Sequence, residues 1–177
     1  MKLVLREELE PYLSRVNPWA AGICFGMLLL GFLLLERKRL RFSSVLFAVA
    51  AAAYLTFVLT ITLLGRAPGV RSSFTTLLST YQQMLGGVQG ARLAVAFNIL
   101  LFIPVGWITA RYGVWKQQLT ALALGSLAIE CAQLVSTRGV FELSDIINNL
   151  LGGVIGLLMV YAVRRLFRNI KEKRRKH

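Results

Sequence analysis

The sequence predicts an all-α integral membrane bundle of about five transmembrane helices, with one amphipathic helix outside the spans. Three observations predict it. Apolar residues make up 56% of the 177-residue chain, more than an ordinary soluble domain carries. They gather in five runs, each near the roughly 20 residues that a helix needs to cross a hydrocarbon core. Short clusters of Lys and Arg separate the runs, and inside them stands a single charged side chain, Glu130. Backbone amides in lipid must be satisfied within their own segment, so such runs fold as helices and not as open strands.

The first span, Val16–Leu35, follows a mixed-charge segment, residues 1–15, in which Glu7, Glu8 and Glu10 stand beside Lys2, Arg6 and Arg15. Arg37, Lys38, Arg39 and Arg41 come directly after it. That is a stop-transfer pattern, not a cleavable leader; Asn17 and Pro18 shorten the run at its start. Phe42–Gly65 is the second span. Beyond it Phe74, Leu77, Leu78, Tyr81, Met84, Leu85 and Val88 recur at helical spacing, with Ser, Thr and Gln opposite. Ser73–Leu85 is therefore expected as an amphipathic helix on the membrane surface, with a re-entrant piece packed on the bundle as the alternative. Gly86 and Gly87 end it. Leu93–Ala110, Gln117–Thr137 and Ile146–Val163 are the remaining spans, completing a membrane domain over 16–163, and 164–177 form a basic tail. Gly22/Gly26 and Gly152/Gly156 are spaced four apart, as in helix faces whose backbones touch in lipid. Gly153 makes the fifth span the stronger case, and these faces leave room for an oligomer.

With five spans, fourteen basic residues fall on one side of the membrane and seven on the other. The positive-inside rule then places the C-terminus in the cytoplasm and the N-terminus outside, in a cell membrane. The basic tail is an anchor that also meets anionic lipid. Although the net charge is +13, most of it flanks apolar runs, so nucleic acid is not an expected partner. His177 is the only histidine, which removes a His-based metal site or triad; no metal and no cofactor are expected. Cys24 and Cys131 both lie in apolar runs and read as small hydrophobes.

On this topology the unusual polar residues collect at one level, the outer interface. Glu130 and Gln133, three apart, share a face of the fourth span. Asp145 opens the fifth span with Asn149 one turn deeper, and Asn98 lies about 9 Å below Arg92 in the third. Arg138 and Glu142 sit in the hairpin between spans four and five, and either Ser144 or Asp145 is the expected N-cap of the fifth helix. Asn148 points off this face and reads as solvated. The plain reading is that such side chains glue helices together. A carboxylate at the depth of Glu130 is costly enough to favour a binding role. The ligand-binding candidates are Asn98, Glu130, Gln133, Arg138, Asp145 and Asn149. Arg138 would meet an anionic group, Asn98 and Asn149 would give hydrogen bonds, and Glu130 and Asp145 would position Arg138 or accept an ammonium. No catalytic residue is assigned.

These residues also carry a resemblance. Asn98-Ile-Leu-Leu-Phe102-Ile-Pro104-Val-Gly106, then Glu130-x-x-Gln133, Arg138-Gly139 and Asp145-Ile-Ile-Asn-Asn149-x-x-Gly152-x-x-x-Gly156, look like the VanZ-like membrane family, over roughly 92–156. That family is named for a component associated with low-level teicoplanin resistance. The resemblance implies a bacterial cell-membrane protein linked to the envelope, and it brings no reaction. The expected partners are membrane lipid and a cell-wall precursor or glycopeptide. The readings open at this point are an outward polar pocket that binds such a ligand, an enzyme acting on a lipid-linked substrate at the outer leaflet, and a small transporter or assembly partner.

Overall fold

The computed structural model describes residues 16–37, 41–66, 69, 78–139 and 141–175. Its helices are α1 (Pro18–Glu36), α2 (Phe42–Leu59, running on into a π-helical turn, Thr60–Leu64), α3 (Ser79–Leu85), α4 (Gln89–Thr109), α5 (Trp115–Val135) and α6 (Leu143–Arg175). All but α3 are long and apolar enough to cross a membrane, one for each expected span. The chain divides into two compact units, Met1–Ser73 with Cys131–Phe141 and Phe74–Glu130 with Glu142–His177.

In the first unit α1 starts where Asn17 Oδ1 accepts the Trp19 N–H at 3.0 Å, with Pro18 in the first turn, where its missing N–H costs nothing. Its Phe32 ring meets Phe47 of α2 edge-on, with centroids 6.3 Å apart. Ala48, Ala51 and Ala52 are buried along α2. Gly22 and Gly26 face open space within the chain, so that pair packs nothing here. At Thr60 the α-helical ladder widens into the π turn, and the Thr62 hydroxyl donates back to the Val58 carbonyl at 2.8 Å. Widened turns of this kind leave carbonyls in need of other donors.

The second unit is built on close contact between α4 and α6. A Cβ on Gly152 would strike the Ile99 carbonyl, one on Gly156 that of Ile103, and one on Gly106 that of Gly153. The spacing read from the sequence is thus used, and Gly106 completes it from the opposite helix. At the end where α4 finishes, Arg164 Nη2 donates to the Ala110 carbonyl at 3.1 Å, meeting the C-terminus of that helix with a cation. Beside it the Tyr161 hydroxyl donates to Gln118 Oε1 at 2.9 Å, while Gln118 Nε2 donates to the carbonyls of Tyr112 and Gly113. This pins the turn from α4 into α5.

Two elements differ from expectation. α6 does not stop at Val163: it continues as one helix of 33 residues through Arg175, so the basic segment is helical as far as that residue. α3 begins at Ser79, and residues 73–77 of the expected amphipathic helix lie outside the described residues, as do 1–15. Its polar side chains Ser79, Thr80 and Tyr81 are bonded to the start of α6 and the residue ahead of it, whereas Leu85 is 84% exposed. The polar face of the segment is therefore bonded to the start of α6, while Leu85 at its end is left uncovered.

Candidate functional site

Glu142 organises the polar end of the second unit. It stands immediately ahead of α6, and its carbonyl accepts from the Asp145 and Ile146 N–H groups. Glu142, not Ser144 or Asp145, thus holds the capping position. Its carboxylate, beside the positive end of the helix, accepts three hydroxyls: Ser79 at 2.9 Å, Thr80, and Ser144 at 2.9 Å. The Glu142 N–H donates to Glu130 Oε2 at 3.0 Å. A carboxylate brought from α5 therefore does for this helix what the acidic residue of a capping box does from within. Glu130 is 1% exposed.

One turn into α6 the network continues. Asn98 Nδ2 of α4 donates to Asp145 Oδ1 at 2.8 Å. The Tyr81 hydroxyl donates to Asn148 Oδ1 at 2.7 Å, and Asn149 Nδ2 donates to the Ser126 hydroxyl of α5 at 3.0 Å. Asn148, expected to be solvated, is buried like Asn149 because α3 covers it. Burial holds the Tyr81 phenol above its ordinary pKa, and the negative charge of Asp145 adds to the shift. Two polar atoms here have no partner among the described residues: Asn148 Nδ2, a donor, and Asn149 Oδ1, an acceptor. A buried amide left half-satisfied costs about 1–3 kcal/mol, so both atoms stand ready for a further polar group.

Gln133 and Arg138 do different work, in the first unit. Gln133 Nε2 donates to the Thr62 carbonyl at 2.9 Å. Arg138 Nη1 donates to the carbonyls of Leu64 and Arg66, at 2.7 and 3.1 Å. These are the carbonyls at the C-terminal end of the π turn, where donors are short and a cation is favoured. Gln133 Oε1, itself buried, has no partner among the described residues.

Of the six candidates, the structure thus links Asn98, Asp145 and Glu130 through hydrogen bonds to and around Glu142, pairs Asn149 with Ser126 one turn further along α6, and joins Gln133 and Arg138 in a second group. Sequence reasoning missed Ser126 and the Ser79-Thr80-Tyr81 run. Ser126 was findable, since Ser126, Glu130 and Gln133 follow one another at helical spacing along one face. The α3 hydroxyls carried no such sign, because their partners lie more than 60 residues away. Among the described residues, no three His, Cys, Asp or Glu side chains converge to hold a metal ion. The chemistry on offer is hydrogen bonding and charge: carboxylates, amides and hydroxyls that recognise a hydroxyl, an amide or an ammonium.

The fold and these contacts define a multi-pass α-helical membrane protein with a buried polar cluster to which α3, α4, α5 and α6 all contribute. Residues 51–167 match the family model described as VanZ/LLP1. That is well over half of the chain, and the protein belongs to the VanZ/LLP1 family. Neither a curated protein nor a solved structure matches it.

Proposed function

We propose that this VanZ/LLP1 protein binds the head group or peptide of a lipid-linked or cell-wall ligand through the polar cluster of Asn98, Glu130, Asp145 and Asn149, and in doing so limits glycopeptide action at the cell surface. The observation that carries this reading is the pair of unpartnered buried atoms, Asn148 Nδ2 and Asn149 Oδ1, beside carboxylates already fixed in place by Asn98 and by the Glu142 N–H. A network built only as glue would close on itself, since interhelical polar contacts contribute only about 0.5–2 kcal/mol each and gain nothing from an open donor or acceptor. The surplus of Lys and Arg on the side of the C-terminus supports an outward-facing cluster in the cell membrane. Family membership supports an envelope setting.

The test is the lipid and wall-precursor content that copurifies with the wild type and with Glu130→Gln. A bound precursor that is lost from a folded Glu130→Gln protein upholds binding. Conversion of a precursor by the wild type in vesicles replaces binding with catalysis. Identical lipid content in the two proteins sinks the ligand site and leaves the cluster as packing.

A further inference from the structure

We propose that Arg66 and Arg138 form an anion subsite for a phosphate-bearing ligand, with Gln133 Oε1 accepting a hydrogen bond from the same ligand. This deepens the binding reading, on which it rests for a ligand in the membrane, but it uses a separate group of side chains in the first unit.

The two arginines are interlocked. Arg138 Nη1 donates to the Arg66 carbonyl at 3.1 Å, and the Arg66 guanidinium reaches back over Gly139, where a Cβ would lie 3.0 Å from its Nη1. Both side chains are half-buried, and neither meets a carboxylate among the described residues. Two guanidinium groups brought into one neighbourhood repel, more so where water is scarce, and an anion between them reverses the sign of that interaction. The two backbone bonds fix Arg138 by one nitrogen, which sets the plane of its fork and keeps its other N–H groups for an acceptor with paired oxygens. A phosphate group matches such a fork through two parallel hydrogen bonds.

Gln133 gives the second, independent sign of a ligand. Its Nε2 is committed to the Thr62 carbonyl, so its Oε1 must accept, yet that atom is buried in a side chain 1% exposed and meets no donor among the described residues. The same oxygen lies 3.3 Å from the Cβ position of Gly139, beside the Arg66 guanidinium. Only the absence of a side chain at Gly139 keeps this corner open. The ligand therefore offers phosphate oxygens to the arginines and a hydroxyl or amide hydrogen to Gln133.

The decisive measurement uses the full chain in neutral detergent, with thermal unfolding and native mass spectrometry as readouts. The probes are phosphatidic acid, a diacylglycerol with the same chains but no phosphate, and inorganic pyrophosphate. Phosphatidic acid should bind the wild type and raise its midpoint. Arg66→Gln should weaken that binding about tenfold or more, the worth of one charge-assisted hydrogen bond, and its ligand-free midpoint should not fall, since one of two repelling cations is gone. Gly139→Ala should weaken it too by pushing Arg66 aside. Arg138→Lys, which keeps the charge on the α2 end, guards against loss of folding in Arg138→Gln and should fall between. Competition by pyrophosphate assigns recognition to phosphate alone; retained lipid binding without competition assigns it to phosphate carried on lipid; either upholds the subsite. Equal binding by wild type and Arg66→Gln overturns it, as does an equal shift with diacylglycerol. Glu130→Gln in the same assay separates the two readings: intact phosphate binding there, with no change in copurifying precursor, would remove the polar-cluster reading and leave the anion subsite standing.

Discussion

Asn98 and Asp145 are 47 residues apart in sequence and meet at 2.8 Å, amide to carboxylate. The contact is possible only because Gly152 and Gly156 of α6 let its backbone close on Ile99 and Ile103 of α4. The small residues set the helix separation, and the polar pair uses it.

Asn98→Leu removes the donor and leaves the Asp145 carboxylate with one partner fewer. A hydrogen bond to a charged group is worth about 1.5–3 kcal/mol in water-soluble proteins and less in membranes, so a loss of about 1–2 kcal/mol is expected. Denaturant unfolding in mixed micelles measures it. An unchanged midpoint would show that Asp145 does not need this amide.

Gly152→Ala should do more damage than any single polar change. Its methyl group collides with a backbone carbonyl that cannot turn aside, and overpacking of this kind costs about 1–3 kcal/mol or more. The matching change Gly22→Ala meets nothing within 4 Å in the chain and should leave the monomer's thermal midpoint alone. Equal effects from the two would show that the α4–α6 approach is looser than described.

Glu142→Ala should free α3. Three hydroxyls, two of them from α3, converge on that carboxylate, and the Tyr81–Asn148 bond is then the side-chain hydrogen bond left between the short helix and α6 among the described residues. Amide hydrogen exchange across Ser79–Leu85 should speed up at least about tenfold, with α4 and α6 protected as before. Protection retained in α3 would assign its docking to apolar contact.

Tyr81 gives a pH test. Its folded pKa lies above the ordinary 10.0, through burial first and the Asp145 charge second. A raised pKa means that the neutral phenol is favoured in the folded state. Its stabilising share is whole below pH 10 and is lost as pH climbs through the folded value. The tyrosinate absorbance missing in Tyr81→Phe should therefore titrate above pH 10, and Asp145→Asn should bring it downward. Ionisation at or below 10 would contradict the packing around this hydroxyl.

Topology is read with introduced cysteines. Cysteine at Thr137 or Ser79 should react with an impermeant thiol reagent in intact cells, and cysteine at Lys171 or Lys173 should not. Labelling at Lys173 from outside would invert the orientation and turn the polar cluster toward the cytoplasm.

The spans were legible because the transfer free energy of about 20 apolar residues is a property of the segment alone. The continuation of α6 past Val163 was not, since hydropathy marks where lipid ends and not where a helix does. Glu130 announced itself by its cost in lipid. What it does, receiving the N–H at the start of another helix, depends on a hairpin geometry that no local pattern records. Arg138 was read as a partner for anions on the strength of its charge. Its engagement with Leu64 and Arg66 follows from a π turn that nothing in Thr60–Leu64 foretells. Arg66 was counted only for topology, and its reach toward Gly139 is visible only in three dimensions.

The unbroken length of α6 has an electrical consequence. From Asp145 to Arg175 the helix rises about 45 Å, more than the roughly 30 Å of hydrocarbon it crosses. Its acidic end and its cationic end are therefore held on opposite faces of the membrane by a rod that cannot fold back. Each elementary charge carried across a bilayer works against about 2.3 kcal/mol per 100 mV. A membrane potential acts on such a rod through Lys171, Lys173, Arg174 and Arg175, and it favours the orientation that puts them on the negative side.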